Sequence, residues 1–223
     1  MKWSTIESIL KKKDAQSLRA LVTSPALLTA DSATTRKTAI RLYRLGHLKH
    51  CLKLLDAIER AKGSLPKALQ WLKGDALLDL GDFENAIRVY DSILADRPID
   101  IAFNNKAYAR WELGDHRAAL KNYLRALRLN EHNEVAHRGA GEMLLKLGKP
   151  KGAVRHFAKA LQRRPRYGEA LAGLGLAHYR LRSWAKAYRF LREAAAISPE
   201  VAKRVRQPIH RIEEHFDLGG TSR

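Results

Sequence analysis

The sequence predicts an all-α solenoid built from repeated helix–turn–helix units, and three recurring features predict it. The first is a Leu-Gly pair that recurs at intervals of 35, 33 and 34 residues, with a Leu-Arg pair 34 residues further on. These pairs are Leu45-Gly46, Leu80-Gly81, Leu113-Gly114, Leu147-Gly148 and Leu181-Arg182. The second is a small residue after each pair, namely Cys51, Ala86, Ala119, Ala153 and Ala187, with a large apolar or aromatic residue four positions later, namely Leu55, Tyr90, Tyr123, Phe157 and Leu191. The third is a proline that closes three of the copies, namely Pro98, Pro165 and Pro199.

Each Leu-Gly pair is typical of a turn between two antiparallel helices. Glycine adopts the left-handed backbone conformation that commonly finishes a helix. In the second copy, Asp82 follows Gly81 and can cap the next helix by accepting hydrogen bonds from its free N–H groups. A small residue also lies seven positions before each turn, where it lets the second helix approach closely; these residues are Ala39, Gly74, Ala107, Gly141 and Gly175.

A period near 34 residues with this order of small, aromatic and proline positions resembles the tetratricopeptide repeat. The resemblance covers roughly residues 32–201, in five copies. It implies a right-handed superhelix in which the first helix of each repeat, helix A, lines a concave groove. The second helix, helix B, then lies on the outer face.

The predicted order along the chain is a cap, five repeats and a second cap. Residues 1–31 are predicted to be a degenerate N-terminal capping repeat, because two short apolar stripes there end at Ser24-Pro25. The five repeats are predicted at 32–66, 67–99, 100–133, 134–167 and 168–201. Residues 202–223 are predicted to be a C-terminal capping helix and tail, with Pro208 kinking or splitting the helix and residues 217–223 frayed.

The composition describes a strongly basic chain. Its net charge is +19, divided as +8 over residues 1–66, zero over 67–133 and +11 over 134–223. Such a balance indicates an acidic or phosphate-bearing partner, or serves solubility alone. The single cysteine excludes an intramolecular disulfide, and no apolar run reaches transmembrane length. The sequence therefore predicts a soluble, cytoplasmic protein.

Neither a metal site nor a catalytic site is predicted. His47, His50 and Cys51 lie near one turn, but zinc needs four ligands with a recognisable spacing and no second pair follows. Cys51 also occupies the small position that alanine fills in the other copies, which favours a place in the core. The histidines accompany no nucleophile motif. We expect a protein that is not an enzyme and that has no cofactor.

The groove positions implied by the resemblance are aromatic and acidic at the centre of the array. They hold Trp71, Asp75, Asp79, Asn104, Tyr108, Trp111, Glu112, Arg138, Glu142 and Tyr179. Aromatic side chains supply contact area and faces for cations, and carboxylates add charge selectivity. We therefore expect a peptide with basic and apolar side chains as the ligand, with self-association through a basic terminal segment as a second use. The alternative is that Trp71 and Trp111 pack sideways between neighbouring A helices.

The carboxylate clamp of the family's members that bind heat-shock chaperone tails is missing. Asn105 matches one clamp position, but the flanking positions hold Trp71, Asp75, Val135 and Gly139 in place of basic or amide residues. This argues against an acidic C-terminal tail as the ligand of the groove.

The outer face is predicted to be basic. Its residues are Arg117, Lys121, Arg125 and Arg128, then Lys151, Arg155, Lys159 and Arg163, then Lys186 and Arg189. Like charges at i, i+4 weaken a helix, so helix stability does not explain them. They form either a solvated face or a surface for nucleic acid, an anionic membrane or an acidic protein. Stacking aromatic residues are not interleaved with these basic residues, which weakens a sequence-specific RNA interpretation.

The sequence thus favours a non-enzymatic scaffold or adaptor that binds a partner peptide and assembles a complex. One alternative is a factor that associates with nucleic acid or an anionic membrane through the basic face. The other is a chaperone for secreted substrates, which would share the fold but has no distinguishing residues here.

Overall fold

The structure, a computed structural model, describes residues 3–12, 14–28 and 32–216 and contains fourteen helices and no strand within them. The first three are α1 (Trp3–Lys12), α2 (Ala15–Val22) and α3 (Pro25–Leu28). Five pairs of an A helix and a B helix follow: α4 (Ser32–Arg44) and α5 (Leu48–Lys62), α6 (Lys67–Leu80) and α7 (Phe83–Asp96), α8 (Asp100–Glu112) and α9 (His116–Leu129), α10 (Glu134–Lys146) and α11 (Pro150–Arg163), and α12 (Gly168–Arg180) and α13 (Trp184–Ala195). The last helix is α14 (Pro199–His215). The predicted all-α helix–turn–helix class is confirmed.

The chain divides into two compact units between Pro98 and Ile99. The first unit contains α1 to α7, and its apolar core is contributed by helices α1 to α6. The second unit contains α8 to α14 and has three small buried clusters, each built from three successive helices: α8 to α10, α10 to α12 and α12 to α14. Distributing apolar surface over successive helix pairs is the expected organisation of a solenoid.

The turns between A and B helices have one backbone geometry, which the sequence predicted from glycine. Gly46, Gly81, Gly114 and Gly148 have φ between 71° and 82°. Arg182 adopts the same left-handed conformation with φ of 57°, and the Ser183 N–H donates to the His178 carbonyl at 2.9 Å. The residue after each glycine makes the same bond five residues back, as Asp82 does to Leu77 at 2.9 Å. The turn therefore survives the loss of glycine in its fifth copy.

Glycines on the A helices make room for one large ring or branched chain of a B helix. An alanine Cβ at Gly74 would lie 2.8 Å from the Tyr90 ring, and one at Gly175 would lie 2.7 Å from Leu191. Phe157 meets two glycines, because a Cβ would lie 2.9 Å from its ring at Gly141 and 2.3 Å at Gly173. The predicted role of the small positions is seen at these sites. The second glycine, from the following A helix, was not foreseen.

The two ends of the chain differ in detail from the predicted caps. Residues Ile6, Leu10, Leu18, Leu21 and Val22 are buried, as apolar stripes require, but the short helix α3 was not expected. At the other end Ser198 caps α14 by accepting from the Val201 N–H at 3.3 Å. Pro208 lies inside α14 without splitting it. The tail predicted at 217–223 lies outside the described residues.

A pair of histidines joins α10 to α11. The Nδ1 atoms of His137 and His156 are 3.1 Å apart, and His137 Nε2 lies 3.0 Å from the Glu131 carbonyl oxygen. A carbonyl only accepts, so His137 donates through Nε2 and accepts at Nδ1 from His156. Burial lowers the pKa of His156 to about 4, and electrostatic repulsion from His137, Lys159 and Arg155 contributes a smaller part of this shift. Burial likewise lowers the pKa of His137. Both rings are therefore neutral at pH 7.

This pair predicts a loss of stability in mild acid. A histidine whose folded pKa is depressed contributes stability that is present above its unfolded pKa, near 6.5, and that is lost as the pH falls toward 4. We expect the free energy of unfolding to fall by about 2 kcal/mol between pH 7 and pH 4 through this site. Urea unfolding across that pH range measures it. His156→Gln, which keeps a donor toward His137, should flatten the profile, whereas the exposed His132→Gln should not. Equal profiles for the two variants would contradict the assignment.

Candidate functional site

The ten predicted groove residues all lie on A helices, and they belong to two different units. Three lie on α6 of the first unit, namely Trp71, Asp75 and Asp79. Seven lie on α8, α10 and α12 of the second unit, namely Asn104, Tyr108, Trp111, Glu112, Arg138, Glu142 and Tyr179.

In the first unit the two carboxylates of α6 accept hydrogen bonds from tyrosines. Tyr43 OH donates to Asp79 Oδ2, and Tyr90 OH donates to Asp75 Oδ1, both at 2.7 Å. The hydrogen bond to Asp79 raises the pKa of Tyr43 to about 12, and burial of the ring contributes a smaller part of this shift. Trp71 is half-buried, and its ring meets Tyr90 edge-on at 6.1 Å between centroids. The tryptophan therefore packs partly against the B helix of its own repeat.

In the second unit α8 presents an aromatic pair beside a carboxylate. The rings of Tyr108 and Trp111 meet edge-on with centroids 5.7 Å apart. Tyr108 is 37% exposed, Trp111 is half-buried and Glu112 is exposed. The prediction for Asn104 needs correction, because this residue is only 8% exposed and its Oδ1 lies in the interior. Its place on the buried side of α8 leaves it little surface for a ligand.

Arg138 and Glu142 on α10 bind each other, in contrast to their expected role as ligand contacts. Arg138 Nη1 lies 2.7 Å from Glu142 Oε2, and Arg138 Nε donates to Tyr167 OH at 2.7 Å. The two side chains are only 18% and 15% exposed. Burial alone would lower the pKa of Arg138, but the neighbouring Glu142 carboxylate outweighs this effect, and the pKa of the guanidinium is raised. Their i, i+4 spacing on one helix makes the pair possible. The i, i+4 spacing of Arg138 and Glu142 is visible in the sequence. That the two side chains form a buried ion pair is visible only in the structure, from their low exposure and from the hydrogen bond to Tyr167.

Tyr179 on α12 is half-buried in an aromatic cluster at the end of the second unit. Its ring meets Trp184 edge-on at 5.3 Å between centroids, and Trp184 in turn lies 5.6 Å from His215. Neither partner was among the predicted site residues.

All ten residues of the predicted basic face are exposed, and they lie on three B helices of the second unit. Arg117, Lys121, Arg125 and Arg128 lie on α9, Lys151, Arg155, Lys159 and Arg163 on α11, and Lys186 and Arg189 on α13. None forms an ion pair with any carboxylate of the described ranges. Aromatic rings nevertheless adjoin them: Arg125 lies over Phe103 at 5.7 Å and Arg189 over Phe190 at 4.5 Å. The neighbouring helix supplies Phe103, so the sequence alone did not show this contact.

Cys51 belongs to the core of the first unit. It is fully buried, and its Sγ lies 3.4 Å from the Ala39 carbonyl oxygen. Burial raises the pKa of its thiol to about 12, which keeps it protonated. Within residues 3–12, 14–28 and 32–216, no three side chains of the types that ligate metals come together. None of the helices in these ranges has the length and apolar character needed to cross a membrane.

The comparison with protein families matches the tetratricopeptide repeat over residues 37–101, 104–155 and 139–202. The chain belongs to the tetratricopeptide-repeat family. The comparison with curated proteins gives no match.

Solved structures of other tetratricopeptide-repeat proteins share the fold at low sequence identity. YrrB, described as a TPR protein with an unusual peptide-binding site, is 19% identical with a TM-score of 0.64, over 87% of this chain and 98% of its own. MamA from Desulfovibrio magneticus RS-1 is 20% identical with a TM-score of 0.66, over 74% and 93%. A tetratricopeptide repeat protein from Parabacteroides merdae ATCC 43184 is 19% identical with a TM-score of 0.70, over 84% and 73%.

Of the two positions that replace clamp residues on α10, Gly139 has a structural reason to lack a basic side chain. Val135 is 40% exposed and apolar, and Gly139 is buried beneath the Tyr123 ring. A Cβ at Gly139 would lie 2.3 Å from that ring, so a longer basic side chain has no space at this position.

Proposed function

We propose that this chain is a non-enzymatic scaffold that binds a partner peptide along its A helices and assembles a complex around it. The observation that carries the proposal is the group of Tyr108, Trp111 and Glu112 on α8. It combines two adjoining rings with an exposed carboxylate on the A helix, and the Trp111 ring is half-buried because it also packs against the buried cluster of α8 to α10. Aromatic residues of this kind supply much of the energy of peptide interfaces.

Membership of the tetratricopeptide-repeat family supports an interaction role. A peptide-binding site is described for YrrB, which shares the fold, and we extend peptide binding to this chain as part of the proposal. In the first unit Trp71, Asp75 and Asp79 form a second candidate contact of the same chemistry, with its carboxylates held by Tyr90 and Tyr43.

The chemistry of α8 favours a ligand with basic and apolar side chains. A lysine or arginine of the peptide would lie against the Glu112 carboxylate or over an aromatic face, and an apolar residue would bury against Trp111. Arg138 does not oppose this preference strongly, because Glu142 already neutralises it at 2.7 Å.

We expect Trp111→Ala to weaken peptide binding by about 2 kcal/mol, or roughly thirtyfold in Kd, because the change removes the largest apolar contact of the site. Peptides selected from a random display library on the wild-type protein serve as the probe, and calorimetry gives their affinity. The control is Phe216→Ala, which removes an exposed ring (48% exposed) at the end of α14, away from the site.

A charge reversal at the exposed Glu112 tests the same site without touching the core. Glu112→Lys should weaken basic peptides, slow their association and reduce its salt dependence, whereas Glu84→Lys on α7 should not. Selection of acidic peptides whose affinity is unchanged by Trp111→Ala and Glu112→Lys would overturn the proposal.

A further inference from the structure

Three successive B helices of the second unit are almost free of acidic residues. Helices α9, α11 and α13 together contain eleven lysine and arginine residues, and Glu193 is their one acidic residue. All eleven cations, the ten named above and Arg192, are exposed. Because they recur at three- and four-residue spacings, they occupy one side of each helix.

The fold does not require this charge. Helix α7 is also a B helix with the same small and aromatic packing residues, Ala86 and Tyr90, yet it carries three acidic residues and only Arg88 as a base. The buried residues of α11 are Ala153, Phe157 and Ala160, so its cations make no core contact. Like charges four residues apart cost each helix about 0.2–0.5 kcal/mol per pair. The basic face is therefore a feature added to the fold, at some loss of helix stability.

We propose that this basic face, formed by α9, α11 and α13, binds the phosphate backbone of double-stranded nucleic acid without reading its bases. Seven of the eleven cations are arginine, whose planar guanidinium matches phosphate oxygens in pairs. Regularly placed cations on neighbouring helices supply the sequence-independent electrostatic attraction that governs such binding.

The surroundings of the cations favour a duplex over single strands. Proteins that hold single strands stack the bases on open aromatic faces. Here every aromatic ring on the three helices is buried or half-buried. Guanidinium groups also cover Phe190, under Arg189, and the neighbouring Phe103, under Arg125. The rings on these helices therefore offer the bases of a single strand only partly exposed faces for stacking.

The same surroundings disfavour a membrane. Helices that lie on a lipid surface insert large apolar side chains between the headgroups. Leu124 and Leu129 of α9 are exposed, but α11 and α13 have no exposed large apolar residue. On α11 and α13 the basic face therefore carries positive charge but no large apolar side chain that could insert between lipid headgroups.

The test is the binding of a fluorescent, mixed-sequence DNA duplex to the full chain, measured by anisotropy at several salt concentrations. The triple variant Arg155→Glu, Lys159→Glu and Arg163→Glu should bind at least about tenfold more weakly at low salt. Its plot of log K against log salt should be shallower by about 2–3, since each lost phosphate contact removes about 0.9 from the slope. The control reverses three exposed cations of the first unit, Lys53, Lys62 and Arg97, and so has the same net charge. It should stay within about twofold of the wild type.

Three outcomes would overturn the proposal. Equal losses in the two triple variants would show a net-charge effect with no defined surface. Tighter binding of a single strand of matched length would exclude the duplex, and retention on phosphatidylserine vesicles without duplex binding would indicate a lipid surface. Trp111→Ala should bind the duplex as the wild type does, so failure of the peptide proposal and failure of this one are distinguishable.

Discussion

Gly173→Ala is expected to destabilise the second unit by about 2–3 kcal/mol. The added Cβ would lie 2.3 Å from the ring of Phe157, which is fully buried and has no room to withdraw. Alanine is the better helix former by nearly 1 kcal/mol, so a net loss of stability must come from the collision. Chemical unfolding monitored by circular dichroism measures the change.

The matched control is Gly152→Ala on α11, where the new Cβ would meet only the Leu144 side chain, at 3.4 Å. This variant should be neutral or more stable by up to about 1 kcal/mol. Combining Gly173→Ala with Phe157→Leu should recover part of the loss, because the smaller side chain frees the space. A Gly173→Ala protein as stable as the wild type would show that the ring does not occupy this position.

Glu142→Ala is expected to cost about 2–3 kcal/mol of stability, since it leaves the guanidinium of Arg138 buried without its counter-charge. Arg138 would keep its hydrogen bond to Tyr167 OH and its place over the Tyr167 ring, and neither of these supplies a negative charge. Urea unfolding at pH 7 tests this expectation. The double variant Arg138→Met with Glu142→Leu removes both charges together and should be closer to the wild type than Glu142→Ala alone.

Comparing Glu142→Ala with the wild type also separates a structural role of Glu142 from a role in peptide binding. If Glu142→Ala unfolds like the wild type but loses peptide affinity, Glu142 is a ligand contact and the pairing with Arg138 is secondary. Loss of stability with unchanged affinity for the selected peptides supports the intramolecular role.

The architecture followed from the sequence because its determinants are local and repeated. Gly81 and its counterparts take the left-handed conformation predicted for a turn, and Gly74 and Gly141 accept rings from residues sixteen positions later in the same repeat. Contacts between repeats were harder to predict. Gly173 receives Phe157 from the preceding repeat, and no pattern within a single repeat indicates it. Pro208 was expected to interrupt a helix that in fact continues through it.

The site was predicted less completely, because exposure depends on which side of a helix a residue occupies. Asn104 lies one helical turn from the exposed Tyr108, yet is buried. Glu142 and Arg138 are charged residues at groove positions, but they satisfy one another. By contrast, the outer face was predictable, because its side chains are long, charged and regularly spaced, and all ten are exposed. Which ligands these surfaces bind stays a prediction.

The position of Phe157 between two glycines also governs how the second unit unfolds. The ring fills space at Gly141 in its own helix pair and at Gly173 in the next one. If α12 and α13 came apart from the rest, one side of this ring would be exposed to water. The pairs α10–α11 and α12–α13 should therefore open together as one cooperative segment with similar amide-exchange protection. The contact between these neighbouring repeats is the kind of interface that couples the repeats of a solenoid.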